Sequence, residues 1–322
     1  MKDTEYAFAV ARIRSNENKL LSSQTVESAI TAADYNEAVK VFADSGYADF
    51  SAADEEIVLS QKQREAFELI YSSAPDKKCI DFLIVKNDFH NFKAILKSMV
   101  ANKDTDGLLL TPCMVDTKVA VKAISEKQFD MLPEAFKDTV KNAYELLVTT
   151  LDGQKCDCLL DKACLEMMLT LAKDSGDSFS VGIANKMVAL YDVKIALRCL
   201  RTGKDKAFLD NSLAKCDIVD TERLSQAVLD GENALREYVK FLSLGNLADC
   251  INKSYAAFEK EMDDILIDTV KDAKFTSLGI APLAAYYFAV ENEVKTVRII
   301  LSCKKNGMNV DTIRERVRKL YV

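Results

Sequence analysis

The chain has 322 residues, 43 Lys and Arg against 50 Asp and Glu, and a net charge of −7. With only 10 Gly and 4 Pro, about a third of the usual share, it lacks the turn formers that a sheet protein needs every few residues. An apolar content of 49 % with 29 % charged residues excludes a disordered chain, and the acidic balance argues against a nucleic-acid surface. The expected fold class is all-α.

The opening residues Met1 to Tyr6 lead into no apolar core of a signal peptide, so no secretory signal is expected. Helical apolar spacing then marks Thr25 to Phe42 and Ser60 to Tyr71. From Asp81 to Lys97 the apolar residues Phe82, Val85, Phe89, Phe92 and Leu96 form the seam of an amphipathic helix. The run Asn102 to Gly107, followed by Thr111 and Pro112, marks a first boundary. Beyond it, helices are expected over Phe136 to Leu151 and Asp161 to Lys173, with a second boundary near Asp205 to Asp220. Two more follow at Glu232 to Leu242 and Ala248 to Ala273, the latter with Ile251, Tyr255, Phe258, Met262, Ile265 and Val270 near helical spacing. The longest apolar run, Leu278 to Val290, holds 13 residues and contains Gly279 and Pro282, short of the roughly 20 that span a bilayer.

Self-comparison shows a repeat. Adding 101 to the first seam gives Ile183, Lys186, Leu190, Val193 and Leu197; adding 205 gives Tyr287, Val290, Val294, Val297 and Leu301. A basic residue follows the fourth seam position each time: Lys93, Lys194 and Arg298. The second and third copies both end in basic residues and then glycine, Gly203 and Gly307, which suits a helix C-terminus and its dipole. Three similar helical domains are expected, 1–107, 108–212 and 213–322.

The run Leu278-Gly-Ile-Ala-Pro-Leu-Ala-Ala-Tyr-Tyr-Phe-Ala-Val-Glu-Asn-Glu-Val-Lys-Thr-Val-Arg-Ile-Ile-Leu301 resembles the C subunits of the prokaryotic V-type (A/V-type) ATPases, counterparts of the d subunit of the eukaryotic enzymes. Tyr6 to Arg14 with Glu17, Leu20 and Leu21 is similar to that family's opening helix, as are Asp88 to Lys97 and Asn306 to Tyr321. The resemblance implies a funnel-shaped, all-helical protein of three domains about a pseudo-threefold axis. It further implies a seat on the proteolipid ring at the cytoplasmic side of the membrane, with the central shaft, formed by the D and F subunits, entering the hollow. On that basis the chain is expected to be a non-catalytic torque adaptor for proton or sodium transport, monomeric when isolated, with Lys93, Lys194 and Arg298 as partner-facing positions. Two departures stand out: Thr296 where the third copy of the family usually has Asn, and Lys186 on the second seam.

The motifs of other chemistries are mostly missing. No phosphate-binding G-x-x-x-x-G-K-[ST], no G-x-G-x-x-G and no G-x-S-x-G is present, so no cofactor is expected. The nine cysteines form no C-x-x-C pair; Cys156, Cys158 and Cys164 lie close in sequence but lack a fourth ligand, so buried reduced thiols are expected rather than a metal site. His90, the one imidazole, is expected as an ordinary helix residue. The strongest enzymatic alternative is an all-α prenyl-diphosphate enzyme holding a metal on Asp263, Asp264 and Asp268, of which the last two share a helix face. Finally, the last 28 residues carry eight cations and two carboxylates, so a tail at +6 leaves −13 on residues 1–294 of a chain at −7. A terminal amphipathic helix is expected there, with Val310, Ile313, Val317, Leu320 and Tyr321 inward and its basic face toward solvent, an acidic partner or lipid head groups.

Overall fold

Side-chain caps, rather than glycine or proline, start most of the helices. In a computed structural model that describes residues 3–48, 50, 54–105 and 107–322, α1 spans Ala7–Glu17, α2 Ser23–Thr31, α3 Tyr35–Asp44 and α4 Glu55–Ser73. Met1, Lys2 and Asp106, the last within the expected first boundary, lie outside the described residues. The chain continues through α5 Val85–Ala101, α6 Thr117–Ser125, α7 Glu134–Thr150, α8 Gly153–Asp174, α9 Ser178–Thr202, α10 Lys206–Ser212, α11 Thr221–Asp230 and α12 Glu232–Phe241. It ends with α13 Tyr255–Val270, α14 Ala281–Lys305 and α15 Val310–Arg316. The described residues contain no strand, so the fold is all-α.

Asp34, Asp54, Asp116, Asp152, Asp177, Asp205 and Asp220 each accept a backbone N–H from the first turn of the following helix. A carboxylate there satisfies an orphan donor and faces the positive end of the helix dipole. The Asp34 cap also divides the single helix expected over 25–42 into α2 and α3. Ser254 does the same within 248–273, where a 3-10 turn at Leu247–Cys250 precedes α13 and another, Lys271–Phe275, follows it.

Two compact units result. One comprises residues 1–77 with 243–322, the other 78–242. In the first, α1, α3, α4, α13 and α15 pack against α14, whose side chains are buried along most of its length. In the second, α8 is central and packs on α5, α7, α9 and α10. Phe89, Phe92 and Phe136 form an aromatic cluster there with ring centroids 5.6 to 5.9 Å apart. Compactness thus divides the chain near 77 and 242, whereas the sequence repeat divides it near 107 and 212.

Candidate partner-binding positions and the repeated helix

Fourteen of the fifteen seam residues are buried, and Lys186 is half-buried. The three seams lie on α5 with the 3-10 turn before it, on α9 and on α14. Their C-termini close identically. The N–H of Lys103, Lys204 and Met308 donates to the carbonyl of Ser98, Cys199 and Cys303, at 2.9, 3.0 and 3.0 Å. The residue just before each of these donors is left-handed: Asn102 at φ 50°, Gly203 at 62° and Gly307 at 65°. This is a Schellman closure at offsets of 101 and 104. The first copy's counterpart of the two glycines is therefore Asn102, because asparagine also tolerates that conformation.

After each long helix the chain returns as a non-helical strap across its face. Such backbone has no helical partners, so buried side chains must supply them. On α5, Asp88 accepts from the N–H of Met114 and Val115 at 3.0 and 2.7 Å. Asn91 accepts from Leu110 N–H at 2.7 Å and donates to Leu110 O at 2.9 Å, while Asn87 donates to Pro112 O at 2.7 Å. On α9, Asp192 accepts from Ala214 N–H at 3.0 Å, and Asn185 accepts from Asp217 N–H at 2.9 Å. On α14, Asn292 donates to Lys319 O at 2.6 Å. Asn91, Asp192 and Thr296 occupy one repeat position, as do Asn87 and Asn292. Thr296, the departure seen in the sequence, is fully buried and its Oγ1 has no partner among the described residues.

Burial raises these carboxyls. Asp88 is pushed up to about 6, against the pull of the two strap N–H groups. Asp192 is pushed up to about 7, opposed by Ala214 N–H and by the charge of Lys162. Glu293, the third-copy counterpart of Asp88, is also raised by burial, although Leu21 N–H and the Tyr47 hydroxyl donate to it at 2.6 and 2.9 Å. Sequence reasoning missed these clamps. The available signal was a polar residue recurring one place before the fourth seam position at the same 101 and 104 offsets.

The three basic positions expected from the sequence sit on the repeated helices. Lys93 contacts Asp161 of α8 at 2.5 Å. Arg298 holds Glu56 of α4 with two bonds of 2.7 and 2.8 Å. Lys194 is half-buried on α9 and also engaged.

The acidic cluster on α13 does different work from the metal binding considered above. Asp263 accepts from Lys295 and Arg318, both at 2.8 Å; Asp264 from Lys260 at 2.9 Å and from Lys319 N–H at 2.7 Å; Asp268 from Lys319 Nζ at 2.7 Å. Burial alone would raise the Asp263 carboxyl, but Lys295 and Arg318 outweigh it and hold it below its usual value. Carboxylates already neutralised by four cations are poor hard-metal ligands, so the prenyl-diphosphate reading fails here. No group of His, Cys, Asp and Glu suited to a metal occurs among the described residues. The nine cysteines are free and buried or half-buried; burial pushes Cys156 and Cys164 up to about 11 and about 12, leaving protonated thiols. His90 is exposed and donates to Leu108 O at 3.1 Å.

These contacts also fix the C-terminus. The expected terminal helix stops at Arg316, since the bonds at Lys319 require extended backbone, and Ile313 and Tyr321 anchor the segment in the core. Arg314 pairs with Glu27, and Lys304 donates to Ala32 O. The acidic partner for much of the basic tail is the chain itself. No helix among the described residues is long and apolar enough to cross a membrane.

Comparison with known proteins gives the family. The chain is 21 % identical to the C subunit of the V-type sodium ATPase of Enterococcus hirae, covering 96 % of this chain and 97 % of that protein. It is 22 % identical to the C subunits of the A-type ATP synthases of Desulfurococcus sp. and of Thermococcus kodakarensis, in each case over 98 % of this chain and 91 % of the relative. The family described as ATP synthase (C/AC39) subunit matches residues 9–316, nearly the whole helical repeat and both compact units, and the chain belongs to that family.

Proposed function

We propose that this chain is the non-catalytic central-stalk rotor subunit of a V-type or A-type ATPase, coupling a D–F shaft to the proteolipid ring during proton or sodium transport. The observation that carries the reading is the threefold recurrence of one unit: a long buried helix, a Schellman closure and a clamped strap. Three domains, 1–107, 108–212 and 213–322, each holding one such helix and its closure, form a collar about a pseudo-threefold axis with the shaft held in its hollow, and the straps of the first two copies cross into the domain that follows. The stiffness that torque transfer demands is consistent with straps locked by buried carboxylates and amides. The protein sits peripherally on the cytoplasmic face of the membrane, held by the ring's polar loops.

Co-purification with the D–F shaft, and with membranes carrying the ring, tests this reading. Capture by both is expected at low and moderate salt, and failure of both refutes it. Lys93, Lys194 and Arg298 are proposed to face the shaft from equivalent places in the three units. Replacing all three by Glu is expected to weaken shaft capture; unchanged capture removes them from the interface.

A further inference from the structure

Within the second compact unit, α5, α8, α9 and α10 line an open-sided cavity of about 390 Å³. Four cations line it: Lys93 and Lys97 from α5, Arg198 from α9, and Lys204 just past the left-handed Gly203. Two carboxylates of α8 also reach it, and both are already engaged. Asp161 holds Lys93 at 2.5 Å and Asp157 holds Lys97 at 2.7 Å. Among the described residues Lys204 makes no ion pair; it donates to Gln154 Oε1 at 2.9 Å and lies 5.0 Å above the Phe208 ring. Arg198 is exposed and makes no ion pair among the described residues. One concavity in a chain of net charge −7 therefore carries a local surplus of two positive charges.

The repeat explains how this arises. Lys97 and Arg198 occupy the same position on α5 and α9, 101 residues apart, and the third copy has Ser302 there. Two copies thus turn equivalent cations toward a common space, and the third has no such pair. A guanidinium fork beside an ammonium matches the oxygens of a phosphate dianion. Ala94, Ile195 and Phe208 supply an apolar wall with one aromatic face. The volume falls in the range of small-molecule sites, about 300 to 1,000 Å³.

We infer that this cavity binds a small organic phosphate of nucleoside-monophosphate size, its phosphate on Arg198 and Lys204 and its flat body against Phe208 and Ile195. The site shares Lys93 with the positions proposed to face the shaft but needs neither shaft nor ring, so titration of the isolated protein tests it independently of the rotor reading.

Calorimetric titration of the full-length protein with AMP at about 50 mM salt, with adenosine, inorganic phosphate and a hexaglutamate peptide as separate probes, tests it. The expected result is saturable binding of one AMP per chain, with each of the other probes at least about tenfold weaker. Arg198→Gln is expected to weaken AMP about tenfold or more, with an unchanged circular-dichroism spectrum, while Arg314→Gln in the other unit leaves affinity unchanged. Inorganic phosphate binding as tightly as AMP overturns the assignment of an organic body. Tighter binding of the peptide than of AMP overturns it in favour of an acidic protein segment. No saturation by about 5 mM AMP, or equal affinity in Arg198→Gln, overturns the site itself.

Discussion

Replacing Asp192 by Asn tests whether the straps are held by one interchangeable position of the repeat. Asn91 fills that position in the first copy and exchanges two bonds with Leu110. Asp192 makes one bond, from Ala214 N–H, and leaves Oδ2 without a partner in a fully buried setting. Its carboxyl lies at about 7 when folded, raised from 3.8 by burial. Between pH 4 and 7 the unfolded chain therefore loses this proton while the folded chain keeps it. Stability falls across that window by up to about 1.4 kcal/mol per pH unit and levels off above the folded pKa. The full shift, about three units, corresponds to about 4 kcal/mol. Asn carries no such penalty but gives up a hydrogen bond to a charged acceptor, and about 1 to 3 kcal/mol of net gain remains at pH 8.5. Denaturant unfolding followed by far-ultraviolet circular dichroism at pH 4.5, 6.5 and 8.5 measures it, since the chain has no Trp. The gain is expected to vanish near pH 4.5 and grow to a plateau above 7. A gain that does not change with pH, or a variant less stable than the parent at pH 8.5, refutes the reasoning.

Three further substitutions probe the rest of the architecture. Phe92→Ala empties a fully buried seam position facing Phe89 and Phe136, and a loss of about 3 to 5 kcal/mol in denaturant unfolding is expected. Gly203→Ala meets no atom within 4 Å but must hold φ at +62°; the expected loss of about 1 to 2 kcal/mol is a strain effect, visible as a lower melting temperature with unchanged helix content. Arg318→Met removes one of the two cations on Asp263, whose pairing contributes stability above the unfolded carboxyl pKa and loses it as pH falls. The variant is expected to lose about 1 to 3 kcal/mol at pH 7 and to show a higher Asp263 pKa by NMR titration.

The helical seams were legible because their signal is periodic and apolar, and burial follows it at every position but Lys186. Helix ends were less legible. Across 25–42 the apolar spacing runs on without interruption, and only the carboxylate of Asp34, one of many acids in the chain, marks the break. The straps were not legible at all, since extended backbone docked along a helix has no period of its own. Their register is set by polar side chains 19 to 32 residues away, such as Asn91 with Leu110 and Asn185 with Asp217. Those residues look like ordinary interruptions of an amphipathic helix until the contact is known.

Charge shows the same limit from both sides. The basic tail is conspicuous in sequence, yet Arg314, Arg318 and Lys319 are neutralised by Glu27, Asp263 and Asp268 of their own compact unit. A run of like charge identified the contact that ties the chain's end to its beginning, not a surface left open for something else. The cations that line the cavity, two of them held by Asp161 and Asp157, are inconspicuous in sequence. Lys97 and Arg198 stand 101 residues apart, each within a helix of mixed charge. They line one cavity because repetition gives two helices the same register and both helices pack on α8, whose carboxylates engage two of the cavity's four cations. Duplication of a fold unit therefore concentrates charge in space without concentrating it in sequence, and the cavity between copies is where a ligand site would be overlooked by motif. If AMP binding depends on both Arg198 and Lys97, singly weakened by Arg198→Gln and by Lys97→Gln, the site is a product of the repeat. Dependence on Arg198 alone would leave the repeat as its setting and not its cause.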